Sequence, residues 1–141
     1  MDNLEVIMEE VLCKMYTRVI NSEEVLLKKL NGLTLKEFKT LDVIAMTTKT
    51  RTNTASNISK ILNVTPGTLT TNIDRLCQKG YVEKIKDESD KRYIKIVLTT
   101  LGTNLRRRRE DGHMKLIRDA LSKLNTSEKV ALMNAVNKLD V

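Results

Sequence analysis

The stretch VTPGTLTTNIDRLCQKGYVEKIKDESDKRYIKIVLTTLG, residues 64–102, decides the fold. Thr65 is a good helix N-cap and Pro66 suits the first helical position, where its missing N–H is no loss, so a helix opens there. Leu69, Ile73 and Leu76 recur at spacings of four and three and form one apolar stripe, the face that turns to a core. The opposite face carries Thr68, Thr71, Asn72 and Arg75, with Gly67 at its N-terminal end. These are short or hydrogen-bonding groups suited to close approach to a polar surface. Gly80 ends the helix as a C′ glycine does. Residues 82–86 and 93–98 then read as two short strands, with Ile94, Ile96 and Leu98 alternating onto one side. The six polar residues between them, Asp87 to Arg92, make an exposed hairpin tip.

Upstream, residues 54–62 read as a short helix burying Ala55, Ile58, Ile61 and Leu62, and Asn63 with Val64 forms the turn into the Thr65 helix. Helix, tight turn, helix and β-ribbon make a winged helix-turn-helix. The polar residues 47–53 read as a loop. Before them Thr34 and Glu37 form a capping box that opens a helix with Phe38, Leu41, Ile44 and Ala45 inside. Leu4, Ile7, Met8, Val11, Leu12, Met15 and Val19 make the first helix amphipathic; it continues through Val25, Leu26 and Leu30 and stops at Asn31 and Gly32. Downstream, Thr99 caps a helix running to about Leu124, with Leu101, Leu105, Leu116, Ile117, Ala120 and Leu121 as apolar positions interrupted by residues 106–112. A second capping box, Asn125 with Glu128, opens a final helix bearing Val130, Leu132, Met133, Val136 and Leu139. The expected fold class is mostly α (α+β). Residues 1–141 form a single winged-helix domain, with residues 33–102 as the DNA-binding lobe and residues 1–32 and 103–141 as dimerisation helices that pair with a second copy.

Composition agrees. Aromatics are 3% and Trp is absent, so the core is aliphatic; one proline and five glycines leave few breaks in a helical chain. From Arg75 to Arg109 there are eleven Lys or Arg against four acids, a surplus of seven that equals the net charge of the whole chain, +7. That concentration, with a pI near 9.5, favours a polyanion, nucleic acid before membrane. No apolar run approaches the roughly 20 residues of a bilayer span, and Glu5, Glu9 and Glu10 argue against a signal peptide. A cytoplasmic protein is expected, and two distant cysteines without metal spacing fit a reducing compartment. The sequence shows no Ser/His/Asp arrangement, no metal cluster and no Gly-rich phosphate loop. No enzyme, cofactor or metal site is therefore expected.

Over essentially the whole chain these residues resemble the MarR-type bacterial regulators. Their wing signature, D-x-R then five residues and L-T-x-x-G, is complete here as Asp90, Arg92, Leu98, Thr99 and Gly102, in register with the helix-turn-helix. Val64, Thr65, Gly67, Thr68, Thr70 and Thr71, together with Leu35 to Glu37, Leu41 to Ile44, Lys79 to Tyr81 and His113, are similar to the FabT-like branch, repressors of fatty-acid synthesis genes in Gram-positive bacteria. The resemblance implies a homodimeric repressor on a pseudo-palindromic operator in double-stranded DNA. For the branch it implies long-chain acyl-acyl carrier protein as corepressor.

On this reading the DNA-contacting residues are Thr65, Gly67, Thr68, Thr70, Thr71, Asn72 and Arg75 on the helix, with Ser89, Asp90, Lys91 and Arg92 on the wing. Arg75 reaches either a guanine edge or a phosphate. By the resemblance Arg92 enters the minor groove, oriented by Asp90. Arg106, Arg107, Arg108 and Arg109 suit an acidic carrier protein, although DNA phosphate or snorkelling over an interface would use them equally. His113 either lines an effector pocket or sits at an interface. Cys13 invites a redox-sensor role, against the plainer role of a small buried hydrophobe. Two further readings stand beside these: a MarR-type repressor of an efflux or stress gene, relieved by a small aromatic ligand or by cysteine oxidation, and a winged helix that binds protein or RNA.

Overall fold

The computed structural model describes residues 3–30 and 32–139; Asn31, half of the expected stop to the first helix, lies outside the described residues. Six helices and two strands follow in the order α1 (Asn3–Lys29), α2 (Leu35–Lys49), α3 (Ala55–Leu62), α4 (Pro66–Gln78), β1 (Val82–Lys86), β2 (Ile94–Leu98), α5 (Thr100–Leu121) and α6 (Thr126–Val136). The strands pair antiparallel, Val82 opposite Leu98 and Lys86 opposite Ile94. A mostly helical chain with one small ribbon is the winged helix-turn-helix expected from the sequence.

Residues 25–109 form one compact unit. Its core is Phe38, Leu41 and Ile44 of α2, Ile58 of α3, Leu69, Ile73 and Leu76 of α4, Val82 and Ile96 of the wing and Leu105 of α5, all but fully buried. Each of these side chains contributes about 1.5–3 kcal/mol by leaving water. The stripe on α4 therefore holds the helix with its opposite face outward. The α3–α4 turn is tight because Asn63 adopts a left-handed conformation, φ 53°, at the end of α3. Asn tolerates this better than most residues.

Two buried polar devices brace the unit. Glu37 is 2% exposed; its carboxylate accepts the Thr34 amide at 2.9 Å, completing the capping box, and receives the Lys79 ammonium at 2.8 Å from the far end of α4. Lys79 also donates to the Gly32 carbonyl. The second is Gly102. A Cβ built there would lie 2.1 Å from the Tyr81 carbonyl oxygen, the same oxygen that accepts the Thr99 amide at 3.0 Å. Thr99 in turn donates its hydroxyl to the Gly80 carbonyl and accepts the Gly102 amide at 3.1 Å. The L-T-x-x-G signature is thus the joint where the wing becomes α5.

Several expectations are corrected. Residues 47–49 are helix, not loop: the Thr47 hydroxyl donates to the Val43 carbonyl at 2.7 Å and the Thr48 hydroxyl to Ile44 at 2.6 Å, so both side chains are satisfied on the helix itself. Ile61 is 45% exposed and Ala55 is exposed as well, against the expected burial of both; of α3 the core takes Ile58. Strand β2 begins at Ile94 rather than Tyr93, and α5 ends at Leu121 rather than Leu124.

The flanking segments, up to Glu24 and from Glu110, form a second unit. Among its described residues only Glu23 is buried. Leu4, Val11, Leu12 and Tyr16 of α1 and Val130, Met133 and Val136 of α6 are exposed. A surface of this kind normally meets a partner.

Gly102→Ala should lower the urea unfolding free energy by about 3 kcal/mol, because the clash is with backbone that cannot rotate away. Gly67→Ala, whose Cβ would meet nothing within 4 Å, should change it by less than about 1 kcal/mol.

Candidate nucleic-acid interface

The exposed face of α4 is built at its N-terminus. The Thr65 hydroxyl accepts the Thr68 amide at 3.2 Å as N-cap and donates to the Thr68 hydroxyl at 2.8 Å. Thr70 and Thr71 donate their hydroxyls to the Pro66 and Gly67 carbonyls at 2.9 and 3.1 Å. With their protons so engaged, Thr70 and Thr71 present oxygen lone pairs, which match base-edge amino groups such as those of adenine and cytosine. Thr68, Thr71 and Arg75 are exposed and Asn72 half-buried on the side away from Leu69, Ile73 and Leu76. Thr70 is set apart from them. It lines a hollow of about 140 Å³ with Ala55, Leu69, Ile73, Lys84, Ile94 and Ile96, between α4 and the wing.

The wing tip is a built structure rather than a solvated turn. Asp90 takes Arg92 in a two-pronged pair, Nε to Oδ1 at 3.0 Å and Nη2 to Oδ2 at 2.8 Å, and also accepts the Arg92 amide at 3.1 Å. Arg92 nonetheless keeps 85% of its side chain exposed. The guanidinium lowers the Asp90 pKa, and the carboxylate raises that of Arg92. Asp87 accepts the Ser89 amide and hydroxyl at 3.2 and 3.1 Å, which lower its pKa, and lies 3.7 Å from Lys95. Because both carboxylates titrate below their unfolded range, their ordering of the tip is complete above that range and is lost only as pH falls through their lowered folded-state pKa values. Lys84 joins β1 to α4 through Asp74 at 2.7 Å, which raises the Lys84 pKa. Lys91 and Ser89 are exposed beside Arg92.

The arginine run divides. Arg106 lies 3.3 Å from Asp42 of α2, and Arg109 pairs with the other Asp42 oxygen while its guanidinium sits 5.8 Å over the Phe38 ring. Arg107 and Arg108 are exposed. Thus half the run braces α5 against α2, and half faces solvent. In the second unit His113 Nε2 lies 3.3 Å from a carboxylate oxygen of Glu23, itself 5% exposed. Cys13 is exposed and donates to Glu9 at 3.4 Å. That hydrogen bond, then the charge of Glu9, raises the thiol pKa, and burial raises that of Cys77. Neither environment favours the thiolate that oxidises. No group of metal-ligating residues occurs among the described residues, and none of their helices is long and apolar enough to cross a membrane.

Sequence reasoning missed Asn53, which it left in a polar loop. Its side-chain amide donates to the Ile96 carbonyl at 2.8 Å and its carbonyl accepts the Ile96 amide at 2.9 Å. Residue spacing carries no trace of a pair so far apart in the chain.

A helix with a short polar face, a cation-bearing wing and a core that fixes both define a winged helix-turn-helix. Residues 33–94, most of the winged lobe, match the model of the MarR family. Over 85 residues the chain is 33% identical to the HTH-type transcriptional regulator PecS of Dickeya dadantii, and over 88 residues it is 34% identical to the multiple antibiotic resistance protein MarR of Escherichia coli. Each alignment takes in 60% of this chain, and 51% and 59% of those relatives, so the chain spans little more than half the length of the curated relatives it matches. Among solved structures, YusO of Bacillus subtilis superposes with a TM-score of 0.74 at 23% identity, covering 96% of this chain and 91% of that one. FabT of Streptococcus pneumoniae in complex with DNA superposes with a TM-score of 0.69 at 28% identity, covering 94% and 92%.

Glu9→Gln should lower the Cys13 pKa toward its ordinary value and speed alkylation of that thiol by iodoacetamide near neutral pH. Stopped time points read by mass spectrometry check this, with Cys77 as the internal comparison.

Proposed function

We propose that the protein is a dimeric, sequence-specific repressor of transcription that reads a pseudo-palindromic operator in the cytoplasm, with two copies of α4 about 34 Å apart. The observation that carries the reading is the Asp90–Arg92 pair: a guanidinium held by a two-pronged bond yet 85% exposed. A protein-binding wing has no need of that arrangement at a basic tip. Thr68, Thr71, Asn72 and Arg75 read the major groove, and Ser89 and Lys91 meet phosphate. The exposed apolar residues of α1 and α6 are the surface that a second copy covers.

For the regulated genes we favour fatty-acid synthesis, with a long-chain acyl-acyl carrier protein as corepressor. The signature and flanking stretches read from the sequence support this, as does the likeness to FabT bound to DNA. Exposed Arg107 and Arg108 offer charge to an acidic carrier. One feature favours a second reading, relief by a small aromatic ligand: the hollow of about 140 Å³ between α4 and the wing, which is largely apolar with Lys84 at its edge.

Fluorescence anisotropy with DNA from upstream of fatty-acid synthesis genes, with and without long-chain acyl-carrier protein, tests the reading. Operator affinity should exceed that for random DNA at matched salt, with a log–log salt slope of about 0.9 per phosphate contact, and should tighten with the acylated carrier. Loosening by a small aromatic acid instead would select the second reading. Binding to all duplexes alike would remove both.

Leu12→Asp, on the exposed face of α1, should convert a dimer to a monomer in sedimentation velocity. It should also weaken operator binding at least about tenfold, because the two half-sites are then bound separately.

A further inference from the structure

Ile96 sits at the centre of β2, opposite Lys84 of β1, and is 2% exposed. Both of its peptide groups end on Asn53: the N–H on the Asn53 carbonyl at 2.9 Å, the C=O on the Asn53 side-chain amide at 2.8 Å. Asn53 is itself 3% exposed, and the next residue, Thr54, bridges Lys95 before capping α3. The chain must turn at Thr54 to start α3, so it cannot supply a further backbone N–H to the wing. The Asn53 amide takes the place of that missing strand. Arg92 lies just ahead of β2, and Lys95, at the bridge, points its ammonium to Asp87 at the foot of the tip.

We infer that Asn53 is a positioning residue for DNA reading: by standing in for a third strand it fixes the wing at one angle to α3 and α4, so that Arg92 and the face of α4 engage the same stretch of duplex together. The inference rests on the DNA-reading function proposed above. Without the amide the Ile96 carbonyl is left buried and unsatisfied, a state that the wing relieves by swinging out to water. Arg92 then loses its place although its pairing with Asp90 is intact.

A double-mutant cycle tests it, using the full chain, an operator duplex and a random duplex at one salt concentration. In the parent, Arg92→Ala should weaken operator binding about tenfold to a hundredfold, the range of one groove contact. Asn53→Ser should reproduce most of that loss on the operator while changing random-duplex binding less than about twofold, and adding Arg92→Ala should then cost less than about twofold more, the non-additivity of coupled residues. Should Asn53→Ser not fold by circular dichroism, Asn53→Leu fills the same volume without an amide, and the same cycle is read on it. Equal losses from Arg92→Ala in both backgrounds would overturn the role of Asn53 and leave the wing reading intact. A parent that does not prefer its operator, or whose operator binding ignores Arg92→Ala, would overturn the wing reading and the inference with it.

Discussion

The fold of the winged lobe depends on a buried carboxylate. Glu37 is nearly sealed from water, and such a group is tolerable only when its oxygens are engaged. The Thr34 amide and the Lys79 ammonium do this from two sides. The same atoms therefore start α2 and anchor the end of α4, at residues forty-two positions apart in the chain. Removing Lys79 alone would leave the charge stranded, a far larger penalty than losing a surface ion pair. Immediately beyond Lys79 come Gly80 and Tyr81, whose carbonyls take the Thr99 hydroxyl and amide. One short segment thus fixes where α4 stops and where the wing returns.

What could be read from sequence follows the range of each interaction. Thr65 with Pro66, Thr34 with Glu37, and Asn125 with Glu128 act within one helical turn, and all three caps form as their residues imply. The ribbon was legible because alternation of Ile94, Ile96 and Leu98 is local. The interactions that escaped are those between distant positions. Asn53 with Ile96, and Asp42 with Arg106 and Arg109, leave no periodic trace. A run of four arginines looks uniform in one dimension, but α5 turns its members to different sides. Helical spacing likewise identifies an apolar stripe without telling how wide the covering surface is, which is why Ile61 and Leu101 lie at its open margin. Thr47 and Thr48 misled for another reason: a hydroxyl that bonds its own helix is no longer a polar group in search of water.

On the proposed DNA-reading function, the contact face combines two kinds of chemistry. On α4 the Thr71 hydroxyl proton is already committed to the Gly67 carbonyl, so Thr71 offers an acceptor at a fixed position and loses little freedom on binding. On the wing, Asp90 fixes the direction of Arg92 while cancelling most of its charge. The tip therefore contributes direction more than bulk attraction. General attraction to a polyanion falls to the exposed cations around it, Arg75 and Lys91 among them. For the proposed repressor, this separation of attraction from discrimination suits a protein for which almost all the DNA it meets is the wrong sequence.

The flanking segments carry apolar side chains on α1 and α6 that stay in water within one chain, with Glu23 their sole buried residue among those described. On the proposed dimer, assembly and DNA occupancy then share a single concentration scale. While the chain is scarce and monomeric, the filled fraction of an operator grows with the square of its abundance; once dimers prevail, it grows in proportion. A promoter governed in this way ignores small leaks in synthesis of the protein and responds steeply once a threshold is crossed, a nonlinearity that originates in uncovered leucine, valine and methionine rather than in any ligand.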